Sequence, residues 1–213
     1  MPRPANPQVR VNLIAAGLQL IRMQGVKATG VKDIAERAGV PKGSFYGYFT
    51  SKDEFVVAAL ESYWAELERD VACLLKRPCP PLERLRSYFR SIAVDHESNA
   101  FTLGCLIGNL GLEVAGSSTV VAARLRGILD LWEAQVANVF SHVDDHRRRE
   151  VAALIIEAWE GAVFRAKVDG SREPYTRFES FTLPRLTALC SNGWDFGRNG
   201  YLRSSVSAPT VQD

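Results

Sequence analysis

Apolar residues recur every three to four positions along most of this chain, and no run of alternating apolar and polar residues calls for a sheet. Val11, Ile14, Ala15, Leu18 and Ile21 share one helical face, with Gly25 as the stop. A short helix from Val31 to Ala38 follows, entered through Thr29-Gly30, with acidic Asp33 in its first turn and Gly39 at its close. After the turn Gly39-Val40-Pro41, the segment Lys42 to Phe49 is too brief to hold as a helix without neighbours. Ser51 and Glu54 form a capping box that opens a long helix carrying Val56, Leu60, Tyr63, Leu67 and Leu74 to about Lys76, where Pro78, Pro80 and Pro81 end it. Further helical stretches span Leu82 to His96, Leu103 to Ala115, Thr119 to Ser141, Asp145 to Val168 and Pro174 to Leu189. The pattern predicts an all-α protein of about nine helices, with a three-helix head at the N-terminus and a larger bundle behind it. Periodicity fades after Cys190, which predicts a loose tail over 191–213.

A 46% hydrophobic and 23% charged composition is that of a globular protein and excludes a disordered one. No segment approaches the roughly 18 apolar residues of a membrane span, and Met1-Pro2-Arg3-Pro4 is not the start of a secretory signal, so a cytoplasmic protein without a membrane partner is expected. Cys73, Cys79, Cys105 and Cys190 are too few and too scattered for a disulfide framework or a structural zinc site, so they are read as reduced thiols. Charge is more informative. Residues 1–53 hold eight Lys/Arg against three acids, whereas the remainder is slightly acidic, so an anionic partner suits only the first quarter.

Two short helices joined by a tight turn at Gly39, braced by a first helix inside that basic quarter, are the parts of a helix-turn-helix. The stretch from Gly25 through Val31-Lys32-Asp33-Ile34-Ala35 and Ala38-Gly39-Val40-Pro41-Lys42-Gly43-Ser44-Phe45-Tyr46-Gly47-Tyr48-Phe49 to Ser51-Lys52 resembles the TetR family of bacterial transcriptional regulators. On that resemblance, residues 1–53 are a DNA-binding domain and 54–190 a ligand-binding and dimerisation domain. Ile34, Ala35, Phe45 and Phe49 pack the head, while Lys42, Gly43 and Ser44 open the helix that enters a major groove. The resemblance implies phosphate contacts from Thr29, Lys32, Tyr46, Tyr48 and Lys52. Two positions depart from the family pattern: Pro41 offers no capping oxygen where Ser or Thr is usual, and Gly47 stands where His is frequent.

Beyond the head, Leu103-Gly104-Cys105-Leu106-Ile107-Gly108-Asn109-Leu110 and Ala158-Trp159-Glu160-Gly161-Ala162-Val163-Phe164-Arg165-Ala166-Lys167 are similar to the electrophile- and acrylate-responsive branch of the family, the NemR and AcuR type. If Thr102 caps a helix, Cys105 sits in its first turn, where the positive helix end favours thiolate; the alternative is a small buried hydrophobe. Leu103, Asn109, Leu112, Trp132, Gln135, Phe140 and Trp159 are candidate pocket residues, each equally explicable as core. Leu154, Ala158, Gly161 and Ala162, with Phe178, Phe181 and Leu186, are the candidate dimer surface. The expectation is a homodimeric repressor on palindromic operator DNA, released by an unidentified small molecule or electrophile, or by modification of Cys105. A ligand-independent dimer and a small helical enzyme are the alternatives. No phosphate loop, nucleophile elbow or acid–base pair supports the enzyme. His142 and His146 have metal-pair spacing, but Asp144-Asp145 between them reads as a new helix cap, so neither a metal site nor a cofactor is expected.

Overall fold

The protein, seen in a computed structural model, is described over residues 6–190; the expected tail at 191–213 lies outside the described residues. Those residues form nine helices and no strand. Helix α1 (Pro7–Ala28) starts on the Asn6 side chain, which accepts the Gln8 N–H at 3.0 Å. At Gly25 the chain leaves helical geometry, with φ 83°, a left-handed value that costs glycine nothing. Helices α2 (Val31–Arg37) and α3 (Lys42–Phe45) follow, joined by a turn in which Gly39 also has positive φ. Helix α4 (Lys52–Val71) is extended by a 3-10 turn, Ala72–Lys76.

Then come α5 (Pro81–Ser98), α6 (Leu106–Val114), α7 (Thr119–Ala137) with a 3-10 turn at Asn138–Phe140, and α8 (Asp145–Asp169). The last helix, α9, runs Glu173–Arg177, a π-turn Phe178–Thr182, and Leu183–Ala188.

The head is held by aromatic burial. The rings of Phe45, Phe49 and Phe55 lie 5.0 to 5.3 Å apart, none more than 1% exposed, and they close over Leu13 and Ile34. A four-residue α3 cannot persist alone, so these rings fix its position; losing one such side chain typically costs about 3–5 kcal/mol. Phe55 belongs to the first turn of α4, while Trp64, two and a half turns on, meets Trp132 of α7 at 6.1 Å. One helix therefore carries the head and enters the body.

The body centres on Trp159 of α8. Phe89 and Tyr175 each approach its ring at 4.9 Å, and Phe178 at 5.3 Å. His96, fully buried, shares a 2.6 Å hydrogen bond between its Nδ1 and the Tyr175 hydroxyl, and burial lowers its pKa to about 4. It is neutral at pH 7.

Local capping places most boundaries where expected. Ser51 Oγ accepts the Glu54 N–H at 3.1 Å, although the Glu54 carboxylate turns to Thr50, N–H and hydroxyl at 2.6 Å each, rather than to Ser51. Asp144 caps α8 by accepting the Arg147 N–H, leaving His142 outside the helix that holds His146. Three expectations need correction. The reading helix stops at Phe45 instead of Phe49, because the N–H groups of Gly47 and Tyr48 bond three residues back, to Ser44 and Phe45, and wind the chain too tightly for α-helix. The 3-10 turn Ala72–Lys76 tightens the end of α4 before Pro78 is reached. Helix α6 begins at Leu106, not Leu103, because Ala100, Phe101 and Gly104 all have positive φ and hold a loop there.

Candidate DNA-reading head and side cavity

On the head, Lys42, Gly43 and Tyr46 are exposed and Ser44 is half-buried, all at the start and outer side of α3. Lys32 is exposed on α2 and pairs loosely with Glu36 at 3.6 Å, a contact that leaves it available to a stronger anion. Two of the expected phosphate donors are already engaged within the protein. The Tyr48 hydroxyl donates to the Asn6 carbonyl at 3.0 Å, and Lys52 Nζ to the Val26 carbonyl at 2.5 Å. Thr29 differs from expectation altogether: it is fully buried and its hydroxyl donates to the Gly25 carbonyl at 2.6 Å. Its side chain serves the α1–α2 junction rather than solvent.

A second feature lies between α6 and α8. Gly104, Cys105, Gly108, Asn109, Gly111 and Leu112 on one side, and Glu160, Gly161, Val163, Phe164 and Lys167 on the other, line a cavity of about 460 Å³. Its space comes from absent side chains: a Cβ on Gly111 or Gly161 would meet nothing within 4 Å. Leu103 contributes its carbonyl at the edge, which accepts Asn109 Nδ2 at 2.8 Å and Lys167 Nζ at 3.3 Å.

Cys105 is the N-cap of α6 and buried. Thr102 does not cap; its hydroxyl donates to the Asn99 carbonyl. The environment of Cys105 works against the thiolate that its position at a helix end would favour. Burial first, then the charge of Glu160, push the thiol well above its ordinary value, and the helix-end N–H groups of Gly108 and Ile107 only partly oppose them. Glu160 is the acidic counterpart: burial raises its carboxyl to about 7, against the hydrogen bond from Cys105. Its Oε1 is out of solvent and has no hydrogen-bond partner, and its Oε2 occupies the space a Cβ on Gly108 would need.

Of the candidate pocket residues, the fold gathers Cys105, Asn109 and Leu112, with Leu103 at the rim. Trp132, Phe140 and Trp159 are at most 1% exposed and belong to the core. Gln135 bonds Glu68 in a separate cleft beside Leu75 and Arg84. Glu160, Val163, Phe164 and Lys167 were not foreseen as lining, although their spacing along α8 puts them on adjoining faces. Among the candidate dimer residues, Leu154 is 44% and Phe181 60% exposed and Gly161 is open, but Phe178 is committed to the aromatic core. Among the described residues no group of three or more His, Cys, Asp or Glu could hold a metal, and no helix is long and apolar enough to cross a membrane.

Cavity and head are joined. Glu113, near the end of α6, accepts the N–H groups of Val26 at 2.9 Å and Lys27 at 2.6 Å, immediately after the Gly25 break in α1. Asp53, in the first turn of α4, accepts the Ser118 hydroxyl at 2.6 Å.

Comparison with known proteins matches both halves. Residues 13–59 fit the model of bacterial regulatory proteins, tetR family, and residues 81–180 that of the LmrA/YxaF-like transcriptional regulator C-terminal domain. The transcriptional repressor DhaR of Mycobacterium sp. (strain GP1) is 33% identical over 88% of this chain and 97% of its own. The transcriptional regulator AcuR of Cereibacter sphaeroides is 34% identical over 78% and 80%. Among solved structures, the regulatory protein TetR from Rhodobacter sphaeroides superposes with a TM-score of 0.75 at 33% identity, covering 84% of this chain and 98% of that one. The reduced form of Escherichia coli NemR gives 0.70 at 26%, covering 85% and 96%. Head, body and full-length relatives agree, and the chain belongs to the tetR family of bacterial regulatory proteins, as a DNA-binding transcriptional repressor.

Proposed function

We propose that this repressor grips a palindromic operator as a homodimer and lets go when the cavity between α6 and α8 is filled or Cys105 is modified. Repressors of the family bind operator DNA as dimers. In this reading the exposed face of α8 and α9, with Leu154, Gly161 and Phe181, meets its copy, and each protomer presents Lys42, Gly43 and Ser44 to one major groove. A single head offers few donors, so the second, held at fixed spacing, supplies the selectivity.

The observation that carries the proposal is α6 itself. One end of this nine-residue helix is the cavity wall at Cys105, and the other holds the head through Glu113. Anything that moves the first end stresses the second. Gly161 and Phe164 border the cavity and lie on or next to the proposed dimer face, so an occupant also bears on how the two copies sit. A volume of about 460 Å³ falls within the roughly 300–1,000 Å³ of small-ligand sites and favours response to a ligand over constitutive repression. The relatives are regulators, which favours a binding role over an enzymatic one.

The test is operator release. Genomic fragments selected by the purified dimer serve as probe, and a panel of small organic molecules and electrophiles is scored by fluorescence anisotropy. Gly111→Leu fills the cavity at a position where a side chain meets nothing. It is expected to retain DNA binding and lose ligand response, and a normal response in that variant refutes this cavity as the sensor. Cys105→Ser is expected to lose response to electrophiles alone.

A further inference from the structure

Three helix ends meet at the end of α4 away from the head. The 3-10 turn Ala72–Lys76, the first turn of α5, and the last turn of α7 with its 3-10 extension enclose a cleft of about 410 Å³. Ala72, Leu75 and Val139 make it apolar on one side; Glu68 from α4, Lys76, Arg84 from α5 and Gln135 from α7 are its polar lining. We propose that this cleft binds a free amino acid, with Arg84 and Lys76 holding the carboxylate and Glu68 and Gln135 the ammonium group. It shares no lining residue with the cavity between α6 and α8 and does not depend on what that cavity binds.

The charges of the cleft carry the inference. A carboxylate and a guanidinium line one small space, yet neither Glu68 nor Arg84 forms an ion pair with the other or with any other side chain among the described residues. Arg84 gives its two outer nitrogens to the carbonyls of Leu75 and Val139, each at 3.3 Å, and so clasps the two 3-10 turns together. Those are long bonds to neutral acceptors. Its Nε–H is out of solvent and has no acceptor.

Gln135 is the complementary case. Its Nε2 donates to Glu68 Oε1, and because a carboxylate only accepts, that contact fixes which way round the amide sits. Gln135 Oε1 is left over, buried and without a donor. An unmet donor on a positive group and an unmet acceptor beside a negative one are both unfavourable, and one small dipolar molecule satisfies the two together. A plain carboxylic acid leaves Gln135 Oε1 without its donor, and a plain amine leaves Arg84 Nε without its acceptor. A free amino acid has both ends. The cleft is within the size range of small-ligand sites, and Ala72, Leu75 and Val139 suit an apolar side chain.

The test is calorimetric titration of the full chain with each of the common protein amino acids at millimolar concentration. Tryptophan fluorescence is a second readout, because Trp64 lies one turn before Glu68 on α4 and Trp132 one turn before Gln135 on α7. The tightest binder is then compared with the same molecule lacking its amino group and with the same molecule lacking its carboxylate. At least one amino acid is expected to bind saturably, and each truncated analogue about 10-fold more weakly or worse. Glu68→Gln keeps an oxygen for Gln135 and is expected to weaken the amino acid about 10-fold while sparing the analogue without the amino group. Arg84→Met is expected to abolish binding of both. Because Arg84 also clasps the turns, thermal unfolding of that variant is measured, and Lys76→Gln, at an exposed side chain, gives the same sign by a smaller weakening of both acids. Gly111→Leu, which fills the other cavity, is expected to bind the amino acid as wild type does. Absence of saturable binding by every amino acid overturns the proposal, as does a deaminated analogue that binds equally well. So does amino acid binding that Gly111→Leu removes, or that both Glu68→Gln and Lys76→Gln leave unchanged.

Discussion

Replacing Glu113 by Gln removes the charge that ties α6 to the head while keeping its shape. The Val26 and Lys27 N–H groups are freed by the Gly25 break and both point at this one carboxylate, at 2.9 and 2.6 Å. Hydrogen bonds to a charged group contribute about 1.5–3 kcal/mol each. Glutamine keeps one acceptor but turns an amide NH₂ toward the other N–H, so the expected loss is about 2 kcal/mol. By hydrogen exchange, the amides of Val26 and Lys27 should exchange about 30-fold faster, since each 1.4 kcal/mol is a factor of ten. Lys52 still donates to the Val26 carbonyl in this variant, so the loss is expected to stay local to the two amides. The operator assay then reads the consequence: if α6 is the link, modification of Cys105 by N-ethylmaleimide should change operator affinity less in Glu113→Gln than in wild type. The reasoning is refuted if the two amides exchange as before, or if exchange rises while the response to modification stays whole.

Three other outcomes are expected. Lys42→Ala should weaken operator binding and lower the salt slope by about two, one for each protomer on the duplex, with the dimer intact by sedimentation; unchanged binding removes Lys42 from the reading surface. Phe181→Asp, at a side chain 60% exposed, should dissociate the dimer without unfolding the protomer if the face is the interface, as measured by sedimentation and circular dichroism. His96 has a folded pKa near 4 against an ordinary value of 6.5, so the unfolded chain binds its proton first and stability falls as pH drops from 6.5 to 4. The loss at this site is about 3 kcal/mol, read from denaturant midpoints, and His96→Asn should flatten that part of the pH profile.

Signals confined to a few neighbouring residues were legible in the sequence. Ser51 caps α4, Asp33 accepts the Gly30 N–H at the start of α2, and Gly25 takes the left-handed turn that ends the long part of α1. The start of α6 was not, because Ala100 and Phe101 adopt positive φ without the Gly, Asn or Asp that usually announces it. The head was recognisable from contiguous residues, yet the commitment of Thr29 to the Gly25 carbonyl depends on a kink only the fold reveals. Aromatic residues drew attention to Trp132 and Trp159, which fill the core, whereas the cavity is made by glycines that leave no apolar signature. Glu160 looks like an ordinary surface position in a helical pattern. Its meaning comes from Cys105 on another helix, a pairing no periodicity encodes.

The central claim is that two basic heads, fixed by self-association, read one inverted repeat. Sedimentation combined with anisotropy on a selected inverted-repeat duplex, titrated over salt, tests it most directly. Two protomers per duplex and affinity falling steeply with salt, well above that for a scrambled duplex of equal length, are predicted. Equal affinity for both duplexes, or one protomer per duplex at saturation, contradicts it.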